Sequence, residues 1–205
     1  HEFMKTCKTM RAVSEWGTDL HIELADAFTA GSTGVTDGPG SIAHWPGGLV
    51  LAFPAPHRVN GTVVLAPGDV NLTFKHYVQS PITLTIEDDY VVDIRGEGYQ
   101  VDMLKSYMSA FDSDAYATSH VGWGMNPSAR WDYLELYDRS QHNGVEARAF
   151  EGNFMYSTGS NENADRFSVC HFDIPMRNCD VFIDDQQVVD HGIRPGIAAE
   201  SESND

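Results

Sequence analysis

The sequence predicts an α+β domain made mostly of antiparallel strands with a few helices. Short runs of β-branched and apolar residues recur along the chain, separated by Pro, Gly, Asn and Asp-Asp turn signals. Few stretches carry apolar residues at helical spacing, and no internal repeat is visible. The 205 residues are 41% hydrophobic, which is enough to bury one sizeable core. We therefore expect one domain in which strands outnumber helices.

The first predicted element is a hairpin. Residues 10–16 and 20–24 alternate apolar and polar side chains around the turn signal Gly17-Thr18-Asp19. Residues 31–48 are rich in glycine and poor in large apolar residues, which predicts a long loop. Four short runs after it predict further strands, at residues 49–53, 62–66, 82–86 and 90–95.

Two helices are predicted in the middle of the chain. Residues 101–111 place five apolar side chains on one helical stripe: Val101, Leu104, Tyr107, Met108 and Phe111. Asn126-Pro127 offers an N-cap and a first-turn proline, which predicts a second helix that ends before Asn143-Gly144. Strands are predicted after it near residues 147–155, 167–174 and 181–189, the last broken by a turn at Asp184-Asp185.

Charge and cysteine content exclude several classes of protein. The formal net charge is −17, with 30 acidic and 13 basic residues and no Lys/Arg cluster, which argues against nucleic acid and anionic membranes as partners. No apolar run approaches the ~20 residues that span a bilayer. Three cysteines at these spacings fit neither a disulfide framework nor a C-x-x-C metal site, so we expect a reduced, cytoplasmic protein.

The ends of the chain are interpreted separately from the domain. His1-Glu2-Phe3 is expected to be a cloning remnant, with native sequence starting at Met4. The domain is predicted to span residues 4–197. Residues 198–205 are small and acidic, without a large apolar side chain, and are expected to be a frayed tail.

One short pattern indicates a metal site. In His171-Phe172-Asp173 the two polar side chains leave a strand on the same face, while Cys170 and Phe172 point the other way. His120 is the best candidate for a third donor, because it closes a predicted strand at residues 115–120, just before a Gly-rich turn. Two imidazoles and one carboxylate leave coordination positions open, which suits Fe(II). From the spacing alone, the better interpretation is a His and an Asp that simply hydrogen-bond to each other on one strand.

A resemblance to a known family favours the metal site. Four strings resemble, in order, the catalytic domain of the 2,5-dihydroxypyridine 5,6-dioxygenases: Gly17-Thr18-Asp19-Leu20, His44-Trp45-Pro46-Gly47-Gly48, His120-Val121-Gly122-Trp123-Gly124-Met125-Asn126-Pro127 and His171-Phe172-Asp173-Ile174-Pro175. The resemblance covers roughly residues 10–196. It implies the fold of the C-terminal catalytic domain of the related thermophilic-type (M29) metallo-aminopeptidases.

The resemblance also implies a reaction and a set of ligands. His120, His171 and Asp173 would hold Fe(II). The family opens 2,5-dihydroxypyridine between C5 and C6 with both atoms of O2, giving N-formylmaleamic acid in nicotinate and nicotine breakdown. His44 is the candidate to bind substrate and assist proton transfer, with a surface or capping histidine as the alternative. Ser157 is a candidate hydrogen-bond donor to the substrate, with a purely structural hydroxyl as the alternative.

Two departures from the pattern keep other functions open. Family members are longer and carry an N-terminal domain that this chain is expected to lack, so part of the pocket is expected to be missing. We expect a homo-oligomer, because a neighbouring subunit could complete the pocket. The rival enzyme is a metallo-aminopeptidase, which needs several carboxylates for two metal ions, yet Leu49 stands where that family would carry a Glu. Glu97, between two glycines, is more typical of a solvated turn than of a further ligand. The third hypothesis is a non-catalytic metal-binding domain.

Overall fold

The computed structural model describes residues 1–36 and 38–192, and two antiparallel sheets dominate that part of the chain. The seven-stranded sheet runs in the order β14-β13-β1-β2-β5-β8-β9, and the five-stranded sheet in the order β12-β11-β10-β4-β3. A short ribbon pairs β6 with β7. The strands are β1 Thr9–Ser14, β2 Asp19–Glu23, β3 Phe28–Ser32, β4 Leu49–Phe53, β5 Val59–Leu65, β6 Val70–Asn71, β7 His76–Tyr77, β8 Ile82–Glu87, β9 Tyr90–Gly96, β10 Thr118–Gly124, β11 Phe154–Asn161, β12 Arg166–Met176, β13 Cys179–Ile183 and β14 Gln186–Val189.

Alternating side chains build the core between the two sheets. In β8, Ile82, Leu84 and Ile86 are buried while the residues between them are not, as expected of a strand with one core-facing side. They belong to the same buried cluster as Tyr156 and Phe172 of the five-stranded sheet. The prediction of an α+β domain dominated by strands is therefore confirmed.

Most predicted strands are confirmed with small shifts in their ends. The β1–β2 hairpin turns at Gly17, whose φ of +104° favours a residue without a side chain. The predicted strand at 49–53 is β4, with the same bounds. The glycine-rich loop is confirmed over most of its length, although β3 extends into its first two residues. The break predicted at Asp184-Asp185 separates β13 from β14.

The first predicted helix is confirmed, and the second is wrong. Helix α1, Tyr99–Met108, buries Val101, Leu104 and Met108. In place of a helix from Asn126, only α2, Tyr133–Leu136, and a 3-10 turn at Arg139–Gln141 form. The Asn126 side chain accepts a hydrogen bond from the Ser128 amide at 2.9 Å and donates to the Gly47 carbonyl at 2.8 Å. This local turn competes with helix formation and ties the chain to the glycine-rich loop.

Two predicted strands near the site differ from the elements that form there. Residues 147–155 were predicted as one strand, but Val145–Ala149 forms a short helix, α3, and β11 begins only at Phe154. The strand predicted at 115–120 is β10, Thr118–Gly124, so His120 lies inside the strand rather than at its end. A 3-10 turn, Ser113–Tyr116, occupies the earlier residues.

Two expectations about the chain as a whole remain predictions. The proposed acidic tail at 198–205 lies outside the described residues, as do the last residues of the predicted domain at 193–197. The proposal that residues 1–3 are a cloning remnant stays a prediction. Within the described residues, no helix is both long and apolar enough to cross a membrane.

Candidate metal centre

The five-stranded sheet brings the three predicted ligands together. β11 lies between β10 and β12, so His120 on β10 faces His171 and Asp173 on β12 across one intervening strand. The pairing of β10 with β11 shifts register between Thr118 and Val121, a bulge that includes His120. Bulges often redirect a side chain beside an active site. On β12, side chains two residues apart share a face, which orients both of its ligands alike.

The close approach of β11 to β12 helps to hold the three predicted ligands near one another. Gly159 pairs with His171, has a φ of +113°, and leaves no room for a side chain, because an added Cβ would lie 2.1 Å from the Cys170 carbonyl oxygen. On the other face of β12, Cys170 and Phe172 are buried in the core, as the alternation predicts.

The donor atoms of the three residues converge on one point. The Nε2 atom of His120 lies 3.3 Å, and that of His171 3.1 Å, from Oδ1 of Asp173. One donor atom from each residue lies within 4.8 Å of the other two. The His120 ring also packs edge-on against Phe53, with ring centroids 5.1 Å apart. The structure thus brings together all three residues of the predicted triad.

Burial and hydrogen bonding set the protonation states that a metal needs. Burial lowers the pKa of His120, although the neighbouring Asp173 opposes that shift, so the imidazole is neutral near pH 7. Burial alone would raise the pKa of Asp173, but hydrogen bonds from His120 and His171 hold it well below its usual range. Metal ligands must be deprotonated, and this site presents a neutral imidazole beside an ionised carboxylate.

Arg148 is a site residue that the sequence analysis missed. Its Nε and Nη2 atoms lie 2.7 and 2.5 Å from Oδ2 of Asp173. Arg148 lies on α3, in a segment predicted to be a strand, so its position relative to β12 could not be foreseen. The contact that would have identified Arg148 is its position next to Asp173, the only acid of the triad. That contact arises from tertiary structure alone.

The triad opens into a cavity of about 670 Å³. Leu49, Leu51 and Phe53 alternate along β4 and form one apolar wall. The glycine-rich loop forms another wall, and α3 contributes Val145 and Arg148. An apolar chamber with a few convergent polar groups is typical of a small-molecule site.

Comparison with known proteins places this geometry in a family. The model of the 2,5-dihydroxypyridine 5,6-dioxygenase (NicX) family matches residues 1–194. This chain belongs to the NicX family. It is 40% identical to the 2,5-dihydroxypyridine 5,6-dioxygenase of Pseudomonas putida KT2440 over 189 residues, which cover 91% of this chain and 54% of that protein.

Solved structures agree with the family assignment. The structure of the Pseudomonas putida KT2440 2,5-dihydroxypyridine dioxygenase aligns with a TM-score of 0.89 at 39% identity, covering 94% of this chain and 56% of that one. Wild-type AmpT from Thermus thermophilus, an M29 aminopeptidase, aligns with a TM-score of 0.64 at 18% identity, covering 92% of this chain and 50% of that one. The second likeness shows a shared fold alone. The chain spans about half the length of these relatives.

The other two candidate residues of this NicX-family chain lie in different surroundings. His44 lines the cavity from the glycine-rich loop, with an exposed side chain. Ser157 is fully buried on β11, opposite Asp173, and its hydroxyl donates a hydrogen bond to Oδ1 of that carboxylate. Ser157 therefore supports the carboxylate, while its predicted contact with substrate, like the role of His44, stays a prediction.

The described lining of this cavity offers few carboxylates for a second metal ion. Among the described residues that line it, Asp173 is the only acid. Leu49, for which the resemblance to the aminopeptidases predicts a Glu, lies in the wall of the cavity. Glu97 lines a separate cavity together with His76 and Tyr99.

Proposed function

We propose that this chain is the iron-binding catalytic part of a ring-cleaving dioxygenase that opens 2,5-dihydroxypyridine between C5 and C6 with O2. The observation that carries the proposal is the convergence of His120, His171 and Asp173 at the end of an apolar cavity. Membership of the NicX family supports the choice of substrate and reaction.

The residues present fit one Fe(II) ion. Two imidazoles and one carboxylate form a donor set typical of non-haem iron sites with open coordination positions. His120 and Asp173 are 7% and 4% exposed, so water competes little for the metal, whereas the His171 side chain is 40% exposed and faces the opening. Bound there, Fe(II) would supply the redox chemistry that lets dioxygen react with an electron-rich ring.

The protein groups around this donor set have separate tasks in the proposal. Leu49, Leu51 and Phe53 would pack against the ring and exclude water. His44 would accept the proton of a ring hydroxyl at an imidazole nitrogen, since His is the side chain most easily tuned for proton transfer near neutral pH. Arg148 would hold Oδ2 of Asp173 and so keep that ligand in place.

The test is an oxygen-coupled turnover assay. The chain is loaded anaerobically with Fe(II), mixed with 2,5-dihydroxypyridine and then exposed to air, while substrate absorbance and dissolved oxygen are followed together. Equal consumption of substrate and oxygen, dependent on added iron and lost in His171→Ala, is the expected result. If iron binds but neither signal changes, the non-catalytic metal-binding domain is the better description.

The metallo-aminopeptidase remains the rival because AmpT shares the fold. That activity needs several carboxylates, and the described lining contains only one. Hydrolysis of aminoacyl amides with Zn(II) or Co(II), without oxygen uptake, would favour the rival.

The proposal also covers the cellular compartment and the oligomeric state of the protein. Cys7, Cys170 and Cys179 are free and buried, which supports a reducing, cytoplasmic location. A homo-oligomer is proposed because the cavity is bounded on one side by a surface loop that a neighbouring subunit could cover.

A further inference from the structure

The two oxygens of Asp173 have different surroundings. Oδ1 faces the Nε2 atoms of His120 and His171, and it accepts a hydrogen bond from the Ser157 hydroxyl. Oδ2 faces Arg148, whose Nε and Nη2 atoms lie 2.7 and 2.5 Å away. One oxygen is therefore aimed at the donor cluster and the other is held by a guanidinium.

Arg148 is itself fixed at both ends. Its Nη1 atom donates to the Asn143 carbonyl at 3.2 Å, and its own carbonyl accepts a hydrogen bond from Nδ2 of Asn153 at 3.1 Å. The side chain is 24% exposed, so most of it is packed. A planar guanidinium fixed in this way loses little further entropy when it holds a carboxylate oxygen.

We infer that Arg148 is a positioning residue that makes Asp173 bind the metal through Oδ1 alone. A carboxylate that is free at both oxygens can bind a metal through both and then occupies two coordination positions. A charge-assisted hydrogen bond from Nε and an ion-pair contact with Nη2 oppose that second bond, because Oδ2 would have to leave the guanidinium.

In this way Arg148 affects how many coordination positions on the metal remain for small molecules. This inference rests on the proposed function, because a dioxygenase of this type needs open positions beside its three ligands. Arg148 keeps one of those positions open by its contact with a ligand rather than with substrate. Its effect can therefore be measured without turnover.

The experiment counts water molecules on Mn(II) bound to the whole chain by water-proton relaxivity. Mn(II) accepts the same donor types and reports rapidly exchanging inner-sphere water. In Arg148→Met, Asp173 is free to bind through both oxygens, so the number of bound waters should fall by about one. Arg139→Met is the matched control, because Arg139 also donates to a carboxylate and a backbone carbonyl, Glu135 and Leu134, but on the surface.

The outcomes separate the inference from the proposed function. A wild-type water number in Arg148→Met, with Mn(II) still bound, overturns the role given to Arg148 and leaves the metal site intact. Failure of the wild-type chain to bind Mn(II) or Fe(II) overturns both. Arg148→Gln is the second variant, for use if the methionine variant does not fold by circular dichroism, and the same loss of about one water is expected there.

Discussion

Replacing Asp173 with alanine should destabilise the metal-free protein, and the structure indicates by how much. The carboxylate is 4% exposed and accepts hydrogen bonds from Ser157 and Arg148. Without it, the fully buried Ser157 hydroxyl loses its partner, and the Arg148 guanidinium loses its counter-ion. Breaking a buried ion pair by removing one partner costs about 3–5 kcal/mol. Because Arg148 is 24% exposed and can regain water, we expect the lower end, about 3 kcal/mol.

The assay is urea denaturation in the presence of a chelator, so that metal binding does not contribute to the difference. Asp132→Ala is the matched control, because Asp132 forms a two-point pair with Arg130, at 2.8 and 2.9 Å, in which both side chains are more than half exposed. A solvated pair of this kind contributes little. If Asp173→Ala is no more destabilising than the control, the carboxylate does not support the fold in the way described.

Two further predictions concern a buried acid and the loop histidine. Burial raises the pKa of Asp69 to about 7, so the folded state binds more protons than the unfolded state between about pH 4 and pH 7, and stability falls as pH rises through that range. Asp69→Asn cannot ionise, so urea denaturation at pH 5 and pH 8 should show its stability relative to wild type increasing by about 3 kcal/mol, because about two pH units separate pH 5 from the folded pKa. A constant difference would contradict this. His44→Ala should keep its iron in elemental analysis but slow oxygen uptake by roughly 100-fold, and loss of iron would show that His44 is a ligand instead.

The sequence predicted the sheet better than the connections between its strands. Alternation in β8 and the glycine turn at Gly17 are local signals, so these elements were found with nearly correct ends. The helix expected from Asn126 failed because its side chain bonds to Ser128 and Gly47, and the second partner is distant in sequence. Partners of this kind cannot be read from local spacing.

The same distinction applies to the site. His171 and Asp173 share a face of one strand by local periodicity, so their pairing was predictable. His120 joins them because β10, β11 and β12 are neighbours in one sheet, an order that the sequence did not predict. The resemblance implied that His120 is a ligand but not how the strands bring it there. The contact of Arg148 with Asp173 depends on where α3 packs, so the sequence carried no sign of it.

The metal centre itself is tested by measuring iron content after anaerobic loading with Fe(II) and removal of excess metal. We expect about one iron per wild-type chain and a loss of stoichiometric iron in His171→Ala, because two ligands hold Fe(II) poorly against water. His21→Ala is the control, since His21 is an exposed histidine that pairs with Asp19 on β2, and it should keep the wild-type content. Full iron content in His171→Ala would contradict the assignment of the metal centre.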